Sequence, residues 1–250
     1  MAGALDAATR AAVRALDSAR GVGVLVPCAN PVVEPELRLL LPPGLRLFAA
    51  RLPVMPGTTL PERNRRYIET YDPALASFGG LRLEAAVVAL TGPSYPLLPD
   101  GDAALARRLS FAGTRVATAS GAIAAALQAL GARRICLFSP YPAWLNEEAA
   151  AYWTAAGYEV TQVVTISDTY DAYALTTADV VGGLQAVRQD AADAVVMSGT
   201  GMLTLPALLD SRATLPLPML SANLCCAWWL TRQAGAAASP LLAALAPGLT

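Results

Sequence analysis

The chain has 250 residues, 55% of them hydrophobic and only 15% charged, with a net charge of −1 and no histidine. That length suits one large domain or two small lobes. The missing histidine excludes Ser-His-Asp and Cys-His catalysis and the usual ligands of catalytic zinc and haem.

The opening stretch, MAGALDAATRAAVRALDSARG, is amphipathic and bears arginines, but has no continuous apolar region. It reads as a first helix or arm and not as a secretory signal. An apolar run at 22–27 then leads into Cys28, Ala29, Asn30 and Pro31 and a helix carrying Glu34 and Glu36. Further strand-length runs follow at 45–52, 85–91, 115–119, 134–139, 159–164, 194–198 and 217–221. Helical stretches stand between them at 121–130, 145–156 and 178–189. Several strands are nearly unbroken in Val, Ile, Leu and Ala, as strands covered on both faces are. Strand and helix alternate, which predicts an α/β fold with mainly parallel sheets flanked by helices. No apolar run reaches the ~18 residues of a membrane helix.

The two halves resemble each other. AAVVALTGPSY (85–95) parallels DAVVMSGTGML (193–203), and RVATASGAIAAALQALG (115–131) parallels PMLSANLCCAWWLTRQAG (218–235). Strands 22–27 and 134–139 each run into a proline-bearing loop and an acidic helix. Three units in the same order predict two pseudo-symmetric lobes, residues 1–118 and 119–230, with 231–250 packing back on the first. Ligands of open parallel sheets bind beyond the carboxyl ends of the strands. An active cleft is therefore expected between the lobes, among the tips at 28–30, 91–95, 120, 140–141, 199–201 and 223.

These tips are rich in Gly, Ser, Thr, Asn and Tyr and almost uncharged. Most precede a helix, so backbone N–H groups face the cleft, a setting that suits a carboxylate or small phosphate. Ser94, Thr200, Tyr141, Asn30 and Asn223 add donors, and Gly92, Gly199 and Gly201 allow close backbone approach. Such donors would also stabilise an enediolate. The plainer reading stays open: Ser, Thr and Asn after a strand are ordinary helix caps. Cys136, Cys225 and Cys226 read as core, whereas Cys28 follows a strand at a helix start, where thiolate is favoured. The cysteines have no metal or redox spacing, and no phosphate-binding glycine motif is complete. We expect no metal and no cofactor, no nucleic-acid partner and no membrane partner, and a reduced, cytoplasmic protein. Self-association into a homo-oligomer is left open.

The loops resemble the aspartate/glutamate racemase superfamily, in particular its arylmalonate decarboxylase and maleate isomerase branches. VPCANPVVEPE (26–36), LTGPSY (90–95), LGARRICLFSPYPAWLNE (from residue 130), VVMSGTGMLTL (195–205) and LSANLCCAWWL (220–230) carry the likeness, over about residues 21–235. It implies cofactor-free chemistry in a pseudo-symmetric sandwich. It also implies carboxylate binding by Asn30 and Tyr141, substrate contacts from Gly92, Pro93, Ser94 and Tyr95 on a loop that supplies hydroxyl and backbone donors, and further contacts from Gly199, Thr200 and Gly201. The two thiols of the racemases and isomerases would fall on Gly92 and Gly199. The decarboxylases keep only the second, so the usual thiol acid is missing here. The expected activity is a cofactor-independent lyase on a small carboxylic or dicarboxylic acid, with protonation from Cys28, Tyr141 or water, Cys28 being the first choice. A maleate-type isomerase or racemase-related enzyme and a non-catalytic carboxylate-binding protein are the alternatives.

Overall fold

The computed structural model describes residues 6–17, 19–111, 113–166 and 171–249. An exposed helix, α1 (Ala7–Ala15), precedes the strands; Asp6 caps it by accepting from the Thr9 amide. Among the described residues eight strands follow: β1 (Arg20–Val26), β2 (Leu45–Arg51), β3 (Leu83–Val88), β4 (Arg115–Thr118), β5 (Arg134–Ser139), β6 (Glu159–Thr165), β7 (Ala194–Met197) and β8 (Met219–Ser221). They form two four-stranded sheets in the orders β2-β1-β3-β4 and β6-β5-β7-β8. All the pairings are parallel. Val24 lies between Ala49 and Val87 in the first sheet, and Leu137 between Val163 and Val196 in the second. The shared order is the structural counterpart of the repeated loop units.

Burial explains the sequence pattern. In β1 only Arg20 is exposed, and in β7 every residue is buried, because both are central and covered on two faces. The outer strands β2 and β6 are mostly half-buried or exposed.

The helices are α2 (Val33–Leu40), α3 (Leu60–Ala76), α4 (Leu98–Leu109), α5 (Ala119–Leu130), α6 (Ala143–Ala155), α7 (Thr177–Leu184), α8 (Leu205–Ser211), α9 (Ala222–Gln233) and α10 (Pro240–Leu245). The helix expected over 178–189 ends at Leu184. Gly182 and Gly183 weaken it there, and the chain leaves through tight turns closed by the amides of Gln185, Ala186 and Val187.

One apolar core runs through both sheets. It joins Val22, Val24 and Val26 of β1 to Ile135 and Leu137 of β5 and Val195 of β7. Helices α5 and α9, one after each sheet's last strand, pack on each other. They are capped alike: Thr118 Oγ1 accepts from the Gly121 amide at 2.9 Å, and Ser221 Oγ from the Leu224 amide at 3.2 Å. Cys136, Cys225 and Cys226 lie fully buried in this core. A second cluster covers the other face of the first sheet, where Leu25 and Val88 meet Tyr67, Tyr71 and Leu75 of α3. The final segment is tied down by Ser239 Oγ donating to the Leu40 carbonyl and by Trp228 Nε1 donating to that of Leu249. Among the described residues no helix is long and apolar enough to cross a membrane.

Candidate active site

The loops after the four central strands meet at a cavity of about 330 Å³. Cys28 and Asn30 come from the β1 loop, Thr91, Gly92 and Pro93 from the β3 loop, Tyr141 from the β5 loop, and Thr200 and Gly201 from the β7 loop. Central strands place their ends at the middle of each sheet, which is why their tips converge. The loops after the edge strands β4 and β8, with Ser120 and Asn223, do not reach the cavity.

Each donor is held in place by a local bond. Asn30 Oδ1 accepts from the amides of Val32 and Val33 at 2.8 and 3.0 Å, at the start of α2. That fixes the flip of the side chain and turns its NH2 toward Thr200 Oγ1, 3.3 Å away. Thr200 in turn donates to the Ala89 carbonyl at 2.8 Å. The Tyr141 hydroxyl lies 2.7 Å from Thr91 Oγ1, which also accepts the Gly199 amide at 3.1 Å. Arg51 clamps the first loop by donating to the carbonyls of Cys28 and Asn30, and pairs with Glu34 at 2.9 Å. Cys28 Sγ stands 3.7 Å from the Tyr67 hydroxyl.

Three expected site residues stand behind the wall. Asn223 is buried and commits its amide to Glu36 Oε2 at 2.8 Å and to the Thr200 carbonyl at 3.2 Å. Tyr95 is buried with its hydroxyl 2.7 Å from Ser198 Oγ, and burial pushes its phenol up to about 12. Ser94 is buried against Asp102, whose carboxyl its hydroxyl helps to hold. Gly199 borders the site through its amide rather than lining it.

The sequence reading missed α3. Leu60, Arg63, Asn64 and Tyr67 all line the cavity, and their i, i+3, i+4, i+7 spacing places them on one face of that helix. That spacing was the available signal. It was obscured because the face mixes a cation, an amide and a phenol with a single aliphatic side chain. Asp171 and Tyr173 close another side.

Two buried carboxyls lie outside the cavity wall. Desolvation raises the pKa of Glu36, opposed by bonds from Asn223 and from Leu205 and Thr204. Asp102 is likewise raised by burial, against bonds from Thr118, Ser94 and Tyr152. Burial raises the Tyr67 phenol, and the neighbouring Cys28 raises it further. Among the described residues no group of three His, Cys, Asp or Glu side chains is placed to hold a metal ion.

The family of arylmalonate decarboxylases matches residues 22–241 of this sequence. The chain belongs to that family. A maleate isomerase of Nocardia farcinica is 26% identical over 86% of this chain and 90% of its own length. A maleate isomerase of Geobacillus stearothermophilus is 26% identical over 80% and 86%. Among solved structures, a maleate isomerase of Pseudomonas putida superposes with a TM-score of 0.83 at 23% identity, over 93% of this chain and all of its own. A variant arylmalonate decarboxylase superposes at 0.73 with 26% identity, over 88% and 96%. These family relatives are enzymes, and they share the α/β fold of two parallel sheets.

At the two positions where the resemblance puts family thiols, the local geometry differs. A side chain at Gly92 would begin 2.9 Å from Asn64 Nδ2. Gly199 has φ +87°, and a side chain there would begin 3.3 Å from Pro140 Cγ and 3.4 Å from the Tyr141 hydroxyl.

Proposed function

We propose that this member of the arylmalonate decarboxylase family is a cofactor-independent lyase of the decarboxylase type, acting on a small carboxylic or dicarboxylic acid through an enolate-type intermediate. One juxtaposition supports the reading. Asn30, locked as a donor, shares a cavity with Thr200, Thr91 and Tyr141 and with an apolar lining of Val54, Met55, Leu60, Leu90 and Leu145. The donors hold the carboxylate that stays, and the apolar lining desolvates the one that leaves.

In this reading the bond from the α-carbon to one carboxylate breaks and carbon dioxide departs. The electron pair remains as an enediolate spread into the other carboxylate, where the Asn30 amide and the Tyr141 hydroxyl stabilise it, while Thr200, whose hydroxyl donates to the Ala89 carbonyl, aligns Asn30. Cys28 Sγ then protonates the α-carbon, and solvent restores the thiol. Asn223 and Ser94 act from behind the wall: Asn223 holds the Thr200 carbonyl, and Ser94 holds Asp102 beneath the β3 loop.

Cis-trans isomerisation of maleate is the second reading, favoured by the two curated relatives, both maleate isomerases. Proton NMR in D2O separates the two. Phenylmalonate turned into α-deuterated phenylacetate supports the lyase; maleate turned into fumarate supports the isomerase. If neither acid is consumed, both readings fail and simple carboxylate binding remains.

A further inference from the structure

None of the motifs that carry the family resemblance lies on α3, yet that helix brings a polar wall of the cavity. Asn64 is 8% exposed and lines the cavity, with its side-chain amide open to that space. Its amide N–H groups are therefore available to a bound molecule. Arg63, one residue earlier, also lines the cavity and has no ion pair or side-chain hydrogen bond among the described residues. Its helix neighbours differ: Arg65 pairs with Glu69 at 2.9 Å and Arg66 with Glu62 at 3.6 Å. Asp171, the acid of the cavity lining, makes no ion pair with Arg63. The field of Arg63 falls instead on two phenols, Tyr67 and Tyr173.

We infer that Arg63 and Asn64 form a second acid-binding subsite that determines which carboxylates the chain accepts. The inference rests on the carboxylate reading of the cavity given above. The neutral donors of the strand loops hold the carboxylate that stays. The guanidinium and the amide N–H of α3 hold a further carboxylate on the same molecule, distinct from the one that leaves. Asn64 Nδ2 stands 2.9 Å from where a Gly92 side chain would begin. The amide thus occupies the space a side chain at position 92 would need. A charge-assisted bond from Arg63 supplies most of the discrimination, because it is stronger than a neutral one. Asn64 supplies orientation.

Calorimetric titration of the purified chain with maleate, which has two carboxylates, and crotonate, which has one, tests this. Maleate is expected to bind about tenfold more tightly or better. Arg63→Met brings maleate down to the crotonate level and leaves crotonate within about twofold. Asn64→Ala lowers maleate alone, by a smaller factor. Should Arg63→Met not fold, Arg63→Gln removes the charge on a side chain well tolerated in helices and gives the same reading. An unchanged preference in the Arg63 variant, or an equal loss for both acids, overturns the subsite. If wild type binds both acids equally, the subsite alone falls. If it binds neither, the carboxylate reading of the whole cavity falls with it.

Discussion

The hydroxyl of Tyr141, on the loop after β5, lies 2.7 Å from that of Thr91, on the loop after β3, so this hydrogen bond is one of those that join the two sheets at the cavity. Thr91 also accepts the Gly199 amide, 3.1 Å away, and so one side chain organises the ends of β3, β5 and β7. Tyr141→Phe keeps the ring, which stands edge-on to Tyr95 at 6.4 Å, and removes the donor. Turnover should fall about 10²-fold with little change in melting temperature, as for the loss of one oxyanion donor. Thr91→Val, in contrast, strands the buried Gly199 amide and should cost about 1–3 kcal/mol of stability. Initial rates and thermal melts on both variants separate the two effects.

Cys28 is the thiol that lines the cavity, whereas Cys136, Cys225 and Cys226 are buried in the core. Cys28→Ala should lower turnover by about 10²-fold, within the range for loss of a general acid, and leave the affinity for a product acid nearly unchanged. Undiminished turnover in Cys28→Ala would remove the thiol from the mechanism and pass protonation to water or Tyr141.

Restoring a thiol at either glycine should not be benign. At Gly199 a side chain must adopt φ +87°, a region costing roughly 1–2 kcal/mol for a non-glycine residue. Gly199→Cys should therefore melt about 3–6 °C lower than wild type. Gly92→Cys meets Asn64 instead, and Gly92→Cys with Asn64→Ala should be the more stable pair. Calorimetric melts of the three variants read this directly; equal stability of Gly92→Cys with and without Asn64→Ala would mean that Asn64 yields freely.

Glu36 ties the first half of the chain to the β7 loop. It accepts from the amides of Thr204 and Leu205 at 2.6 and 2.8 Å, from the Thr204 hydroxyl, and from Asn223. Burial raises its folded pKa above 4.5, so its protonated form is the one that folding favours. Its contribution to stability is then fully present below about pH 4.5 and is lost as pH rises through the raised folded value. Glu36→Gln abolishes this component of the pH dependence. Denaturant unfolding at several pH values from 4 to 8 should show wild type losing stability relative to Glu36→Gln as pH rises. A difference that does not vary with pH would contradict the assignment.

Much of the fold is legible in the sequence because the central strands are covered on two faces. Val22 to Val26 and Ala194 to Met197 read as apolar runs for the same reason that they are buried. Cys28, Asn30, Gly92, Tyr141 and Thr200 were legible as cavity residues because they directly follow central strands. Asn223 follows an edge strand, and Ser94 and Tyr95 turn inward within the tight turn over residues 92–97, toward Asp102 and Ser198. Linear order does not record which way a side chain points. The α3 face stayed hidden because Arg63, Asn64 and Tyr67 look like the solvated side of a charged helix until the cavity is seen beneath them.

The account turns on one physical claim: donors from both halves grip the same organic acid. A crystal structure with phenylacetate, the stable product of phenylmalonate decarboxylation, tests it most directly. The account places the carboxylate within hydrogen-bond distance of Asn30 Nδ2 and the Tyr141 hydroxyl, with the ring against Met55, Leu60 and Leu145. A carboxylate that turns away from both donors, or an acid bound elsewhere on the protein, contradicts it.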